Sequence, residues 1–346
     1  MDPHAPTPPA RRRLALTLAA GAALAGCAPL RRWWDGAPAL PPAEAAALRE
    51  LDRQGARALL AGDIDAAVAT WQRYVAQAPA ALPRARQLRG HLTLLRREAA
   101  RRFVQRATAA EAAPGRVRSD RLHVAVLPFV NEPPTGAAPP PPTAGFHRAV
   151  VAMIAVDLSR VPGITVLERE KTELLAQELR LGGTGLVDPA RAARAGRMLS
   201  AGTVVGGSVL NVPGPAGPGS GRYRVGSAVG DVARGRLLGQ AEVEGLQSEF
   251  FVLQKRIVHG ILDLLDLRDR PAAVDLVHTR SWEAYARFAR GLQLLSEDRF
   301  AEAREAFTAA LGFDPGFGLA QDALADTPER PVSLPDIAAA AESATR

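Results

Sequence analysis

The chain has 346 residues, a formal net charge of +7 and a single cysteine. One thiol excludes an internal disulfide and any cysteine cluster for zinc or iron–sulfur. The positive charge is almost all arginine and is scattered, without the run of about five or six that marks a nucleic-acid-binding tail. The length suits two or three modest domains with cores large enough to need no disulfide.

The chain opens with Arg11-Arg12-Arg13 and then LALTLAAGAALAG, thirteen uncharged and mostly apolar residues. As a helix these rise about 20 Å, too short for a hydrocarbon core of about 30 Å. A basic run, a short apolar run and small residues before a cut form the layout of a secretory leader. Leu24-Ala25-Gly26-Cys27 then resembles the bacterial lipoprotein signal, a leucine and two small residues before a cysteine. The resemblance implies a signal peptide over 1–26, cleavage before Cys27, and acyl groups such as palmitate on Cys27. Ala28-Pro29 after the cysteine, in place of an aspartate, implies sorting to the outer membrane with the chain on its periplasmic face.

Residues 27–42, rich in proline and small residues and holding Trp33-Trp34, read as an acylated tether. Residues 43–113 read as helical: alanine, leucine, arginine and glutamate dominate and breakers are few. Within them GARALLAGDIDAAVATWQRYVAQAP has a twin, GLQLLSEDRFAEAREAFTAALGFDP, in a C-terminal segment over 280–325. Gly55 maps on Gly291, Ala67 on Ala303, Trp71 on Phe307 and Pro79 on Pro315, always 236 residues apart. A glycine that lets two helices approach, a small residue at their crossing, a large ring to fill the groove and a closing proline describe an antiparallel helix hairpin. The spacing resembles a tetratricopeptide repeat. Residues 326–346 read as a flexible tail.

Between these segments, over 121–267, the pattern alternates. RLHVAVLPFV is a continuous apolar run and reads as a buried strand. A proline-rich loop, NEPPTGAAPPPPTAG, follows it. FHRAVVAMIAVDLSRV is an amphipathic helix, GITVLERE a second strand and KTELLAQELRLGG a helix stopped by glycine. Asp188-Pro189 starts the helix ARAARAGRMLS. Three strands from AGTVVGGSVLNV to GQAEVEG and a long helix, FFVLQKRIVHGILDLLDL, complete the series. The fold class is α/β, a mixed sheet covered by helices and flanked by all-helical segments.

No motif carries chemistry. Gly182, Gly183 and Gly185 follow a helix and precede no GK[ST], so they cradle no phosphate. The histidines lack metal-ligand spacing and no serine sits in a GxSxG elbow. Asp157, His147 and Ser208 are a scattered set with no spacing that would bring them together. No catalytic residue, cofactor or metal is expected.

VAVLPFVN, the strand end Leu167-Glu168-Arg169, the pair Gln177-Glu178 and the run Gly206-Gly207-Ser208 carry a further resemblance. Together they look like the CsgG-like family, typified by the curli secretion channel and related to the amino-terminal domain of TolB. That channel inserts membrane strands into this core and assembles as a ring; here Val130 to Phe146 is a short proline loop. The resemblance therefore implies a non-catalytic envelope scaffold or assembly factor whose partners are other envelope proteins or peptides. A ring-forming export component, and with it a homo-oligomer, is the alternative. Arg86, Arg89 and Arg290 are the groove-facing candidates.

Overall fold

The computed structural model describes residues 40–110, 122–132, 145–179, 181, 189–212 and 221–345. Cys27 with Leu24, Ala25 and Gly26, the tether and the proline loop lie outside them.

Helix α1 (Pro42–Leu60) begins with proline at its first turn, where the missing N–H costs no hydrogen bond. Asp63 caps α2 (Ile64–Gln77) by accepting from the Ala66 N–H at 2.9 Å. Trp71 on α2 is fully buried and its indole Nε1–H donates to Asp52 Oδ1 at 3.0 Å. A Cβ on Gly55 would lie 2.5 Å from that ring, so glycine is what lets α1 reach α2. The same device recurs between α8 (Trp282–Ser296) and α9 (Phe300–Phe313), where a Cβ on Gly291 would lie 2.4 Å from the buried Phe307 ring. Ala67 and Ala303 are fully buried, and Pro79 and Pro315 each follow the second helix of their hairpin.

The sheet contains β1 (His123–Val126), β2 (Val130–Glu132), β3 (Thr165–Val166), β4 (Thr203–Val212), β5 (Arg222–Asp231) and β6 (Arg236–Leu246). Its order is β3-β1-β4-β5-β6, with β2 also on β4. The β3, β1 and β2 pairings are parallel and β4-β5-β6 is antiparallel. The fold is thus α/β with a mixed sheet. The alternation of a strand sends Val124 and Val126 to one core and Ala125 and Leu127 to another. Both faces of β1 are therefore apolar. Helices α4 (Phe146–Ser159) and α7 (Phe250–Leu264) cover the first face. On the second lie α5 (Arg169–Glu178) and α6 (Pro189–Met198), joined by Val104 of α3 (Pro83–Ala109).

Two expectations are corrected. GITVLERE is strand only at Thr165–Val166; Glu168 is already the N-cap residue of α5, because REKTELLAQE carries a helical pattern beside a sheet edge. Residues 326–346 are not a loose tail. They follow α10 (Gly318–Asp326) and carry α11 (Leu334–Thr345), whose Ile337 and Ala341 are fully buried in the core of Trp71, Tyr74 and Leu88. Ser333 and Asp336 stabilise its start reciprocally: the Ser333 N–H donates to Asp336 Oδ2 at 2.8 Å and the Asp336 N–H to Ser333 Oγ at 3.4 Å.

The C-terminal hairpin shares the core of the sheet. Phe146, Tyr223, Phe250, Trp282 and Tyr285 form a set of ring contacts at 4.8–5.6 Å, and Tyr285 Oη donates to the Phe146 carbonyl at 3.0 Å.

Replacing Trp71 or Phe307 by alanine should remove the ring that Gly55 or Gly291 was shaped to receive. Each variant is expected to lose about 3–5 kcal/mol of stability in urea denaturation, whereas Arg290→Ala on the exposed side of α8 should lose little.

Candidate functional site

Asp157, near the C-terminal end of α4, is an acid on an otherwise apolar helix face and is fully buried. Lys255 Nζ and Gln254 Nε2, both on α7, donate to its Oδ2 at 2.7 and 2.9 Å. Arg160 Nη1 donates to Oδ1 at 3.0 Å and also to the Ala273 carbonyl at 2.9 Å. His278, on the connection from α7 to α8, brings Nε2 to 3.0 Å from Oδ1, close but off the hydrogen-bond angle. Burial by itself would raise the Asp157 pKa; the His278, Gln254 and Lys255 contacts outweigh it and hold the carboxyl below its ordinary value. Next to this cluster His259 Nε2 lies 2.7 Å from Asp275 Oδ1, and Arg270 Nη1 lies 2.8 Å from His259 Nδ1.

An acid, a lysine and an imidazole in one place are the parts of a catalytic centre. Here no side of the carboxylate is open to a substrate, and its lone pairs are taken by protein donors. The arrangement is a clamp that fastens the connection leading to α8 onto α4 and α7. The scattered set is not brought together either. His147 sits ten residues before Asp157 on α4, about 15 Å along the axis. There burial lowers its pKa to about 4. Ser208 lies in β4, paired with Gly226 of β5 and Val130 of β2. Among the described residues no group of three or more His, Cys, Asp or Glu could hold a metal ion, and no helix is long and apolar enough to cross a membrane.

A second polar constellation lies at the surface, in a crevice of about 130 Å³ where α3, α5 and α8 meet. Arg97 of α3 donates to the Leu295 carbonyl, pairs with Asp298 and stands 5.8 Å over the Phe300 ring. Burial pulls its pKa down, against the attraction of Asp298. On α5, Glu173 pairs with Arg148 at 3.1 Å and with Arg169 at 3.7 Å. Lys171 pairs with Glu168 at 3.1 Å and lies 5.5 Å over the Phe103 ring of α3. The crowded carboxylates of this segment are therefore partners of arginine and lysine across a seam between helical and sheet regions. Of the arginines singled out from sequence, Arg89 pairs with Asp326 at 3.3 Å, Arg290 is exposed on α8, and Arg86 lines a different crevice.

Residues 110–226 match the family model described as curli production assembly/transport component CsgG. The match runs through β1 to β4 and into β5, so the chain holds a CsgG-like domain at its centre. It covers about a third of the chain and leaves out α1, α2, α3 and everything from β6 onward. No curated protein matches the chain.

Replacing Asp157 by alanine should leave Lys255 and Arg160 without their counter-charge, at a cost of about 3–5 kcal/mol. With a pKa below its unfolded value, Asp157 stabilises the fold above that value, and the contribution is lost as pH falls through the folded pKa. Urea midpoints of the parent chain should fall as the pH drops below about 4, and that acid sensitivity should shrink in Asp157→Asn.

Proposed function

We propose that the chain is an outer-membrane-anchored periplasmic lipoprotein that acts as a non-catalytic scaffold or assembly factor for envelope or secretion components. The observation that carries this reading is a CsgG-like domain flanked by two helix hairpins, the C-terminal one sharing the core of the sheet and the N-terminal one packed with α3 and α11 in a core of its own. The matched family is named for assembly and transport in curli production, which supports an envelope setting and makes an enzyme a poor reading. Helix hairpins that resemble tetratricopeptide repeats offer grooves for peptides and helices. Acylation of Cys27 supplies the anchor, since several acyl chains hold a soluble domain at a bilayer where one does not.

The family's name also favours a second reading, a ring-forming export component built from copies of this chain. The two segments that leave the sheet at the β2 and β4–β5 ends argue against a pore. Residues 133–144 and 213–220 are each shorter than the roughly 20 residues needed for a pair of membrane strands of about 9–11 residues. A scaffold requires no such insertion.

Cys27→Ser removes the sulfur nucleophile on which acylation depends. The variant is expected in the soluble periplasmic fraction with unchanged circular dichroism, while the parent stays with membranes through an alkaline wash. A Cys27→Ser protein that resists the wash places the anchor elsewhere. Native mass spectrometry of the detergent-extracted parent separates the two functions: monomers or small complexes with other envelope proteins fit the scaffold, and a large closed ring of one chain fits the exporter.

A further inference from the structure

A second crevice, of about 340 Å³, lies between the first turns of α3 and the connection from α10 to α11. That volume is in the range of ligand-binding clefts. The helix contributes Pro83, Arg86, Gln87, Gly90 and His91, linked to one another by three- and four-residue spacings. The connection contributes Pro328, Arg330 and Pro331 as an extended strap. It lies tight on the helix at Gly90, where a Cβ would stand 3.0 Å from the Pro328 Cα.

Three observations give the crevice a chemical preference. Arg86 and Arg330 are exposed, and among the described residues neither guanidinium makes a hydrogen bond or ion pair. This sets them apart from Arg84, Arg89 and Arg97, which are tied to Asp52, Asp326 and Asp298. Glu329 is the one acid on the lining, so the balance is positive. His91 is 5% exposed, and its Nδ1 has no hydrogen-bond partner. Burial, helped by Arg84, lowers its pKa to about 4. It is therefore a neutral imidazole at neutral pH and adds no charge. The rest of the wall is Gln87, Gly90, Val332 and the three prolines. From Pro83 to His91 the helix runs about 12 Å, the length of about three or four extended residues, so a bound chain would pass along the crevice and its side chains would enter it.

We infer that this crevice docks an extended peptide segment of a partner protein that carries one acidic side chain between apolar residues, the carboxylate held by Arg86 and Arg330 and the apolar neighbours against the prolines. The inference stands on the cavity and holds for either function above.

The test is fluorescence anisotropy with the full chain. The probe is a labelled, carboxy-amidated peptide with one glutamate flanked by valine and proline. Matched peptides carry lysine or glutamine in place of the glutamate, or glutamine with a free carboxy terminus. The glutamate peptide should bind and the amidated lysine and glutamine peptides should not. Arg86→Ala and Arg330→Ala should each weaken binding about fivefold, with Arg290→Ala unchanged. Both arginines are exposed, so the variants should keep the parent's urea midpoint. The inference is overturned by equal binding of the glutamate and glutamine peptides, by unchanged affinity in both arginine variants, by a preference for the free terminus over the glutamate, or by no binding at millimolar peptide.

Discussion

One buried carboxylate sets the arrangement of the C-terminal half. Asp157 faces no water, and the groups around it come from three places: Arg160 at the end of its own helix, Gln254 and Lys255 on α7, and His278 on the connection to α8. A lone ion at that position would be prohibitive, so each partner is required for the others to stay buried. With the connection fastened, α8 enters at a fixed angle and its Trp282 and Tyr285 close the ring cluster over Phe146, Tyr223 and Phe250. The polar clamp supplies direction where apolar packing supplies the larger share of the stability.

The helical segments depend on one another in a similar way. Helix α3 reaches from the first hairpin to the sheet. On its way Arg89 pairs with Asp326 at the end of α10, Thr93 Oγ1 donates to the Asp326 carbonyl at 2.6 Å, and Val104 joins the core under α6. Helix α11 then returns to pack on α1 and α3, with Ile337 and Ala341 in the core they share with α2. The N-terminal hairpin thus takes part of its core from the far end of the chain, and the C-terminal hairpin takes part of its core from the sheet.

Local pattern made some of this legible. VAVL read as part of a strand buried on both faces because every residue is apolar, and the structure divides it into Val124 and Val126 against Ala125 and Leu127. Gly55 with Trp71 and Gly291 with Phe307 were legible because close helix approach needs a glycine and a ring at fixed spacing. Helix α11 was missed because Leu334 and Ile337 are its only large apolar residues and the rest are small or polar; the Ser333 and Asp336 pair was the available signal. The Asp157 clamp had no signature, since its partners on α7 and beyond lie 97 or more residues further along the chain. A single acid on an apolar helix face was the only hint. The crevice beside Arg86 depends on a strap more than two hundred residues away, and no spacing could pair them.

The return of α11 to α1 also governs the order in which the molecule can be completed. A ribosome makes the first hairpin early, yet the residues that seal its core are among the last to be joined. Until then Trp71 and Tyr74 have an unfinished apolar neighbourhood, and the entire sheet must be synthesised in between. Contacts between such distant parts of a chain form slowly, which favours a long-lived open form during synthesis. Late closure leaves the N-terminal helices exposed to chaperones and to aggregation until the C-terminal residues arrive.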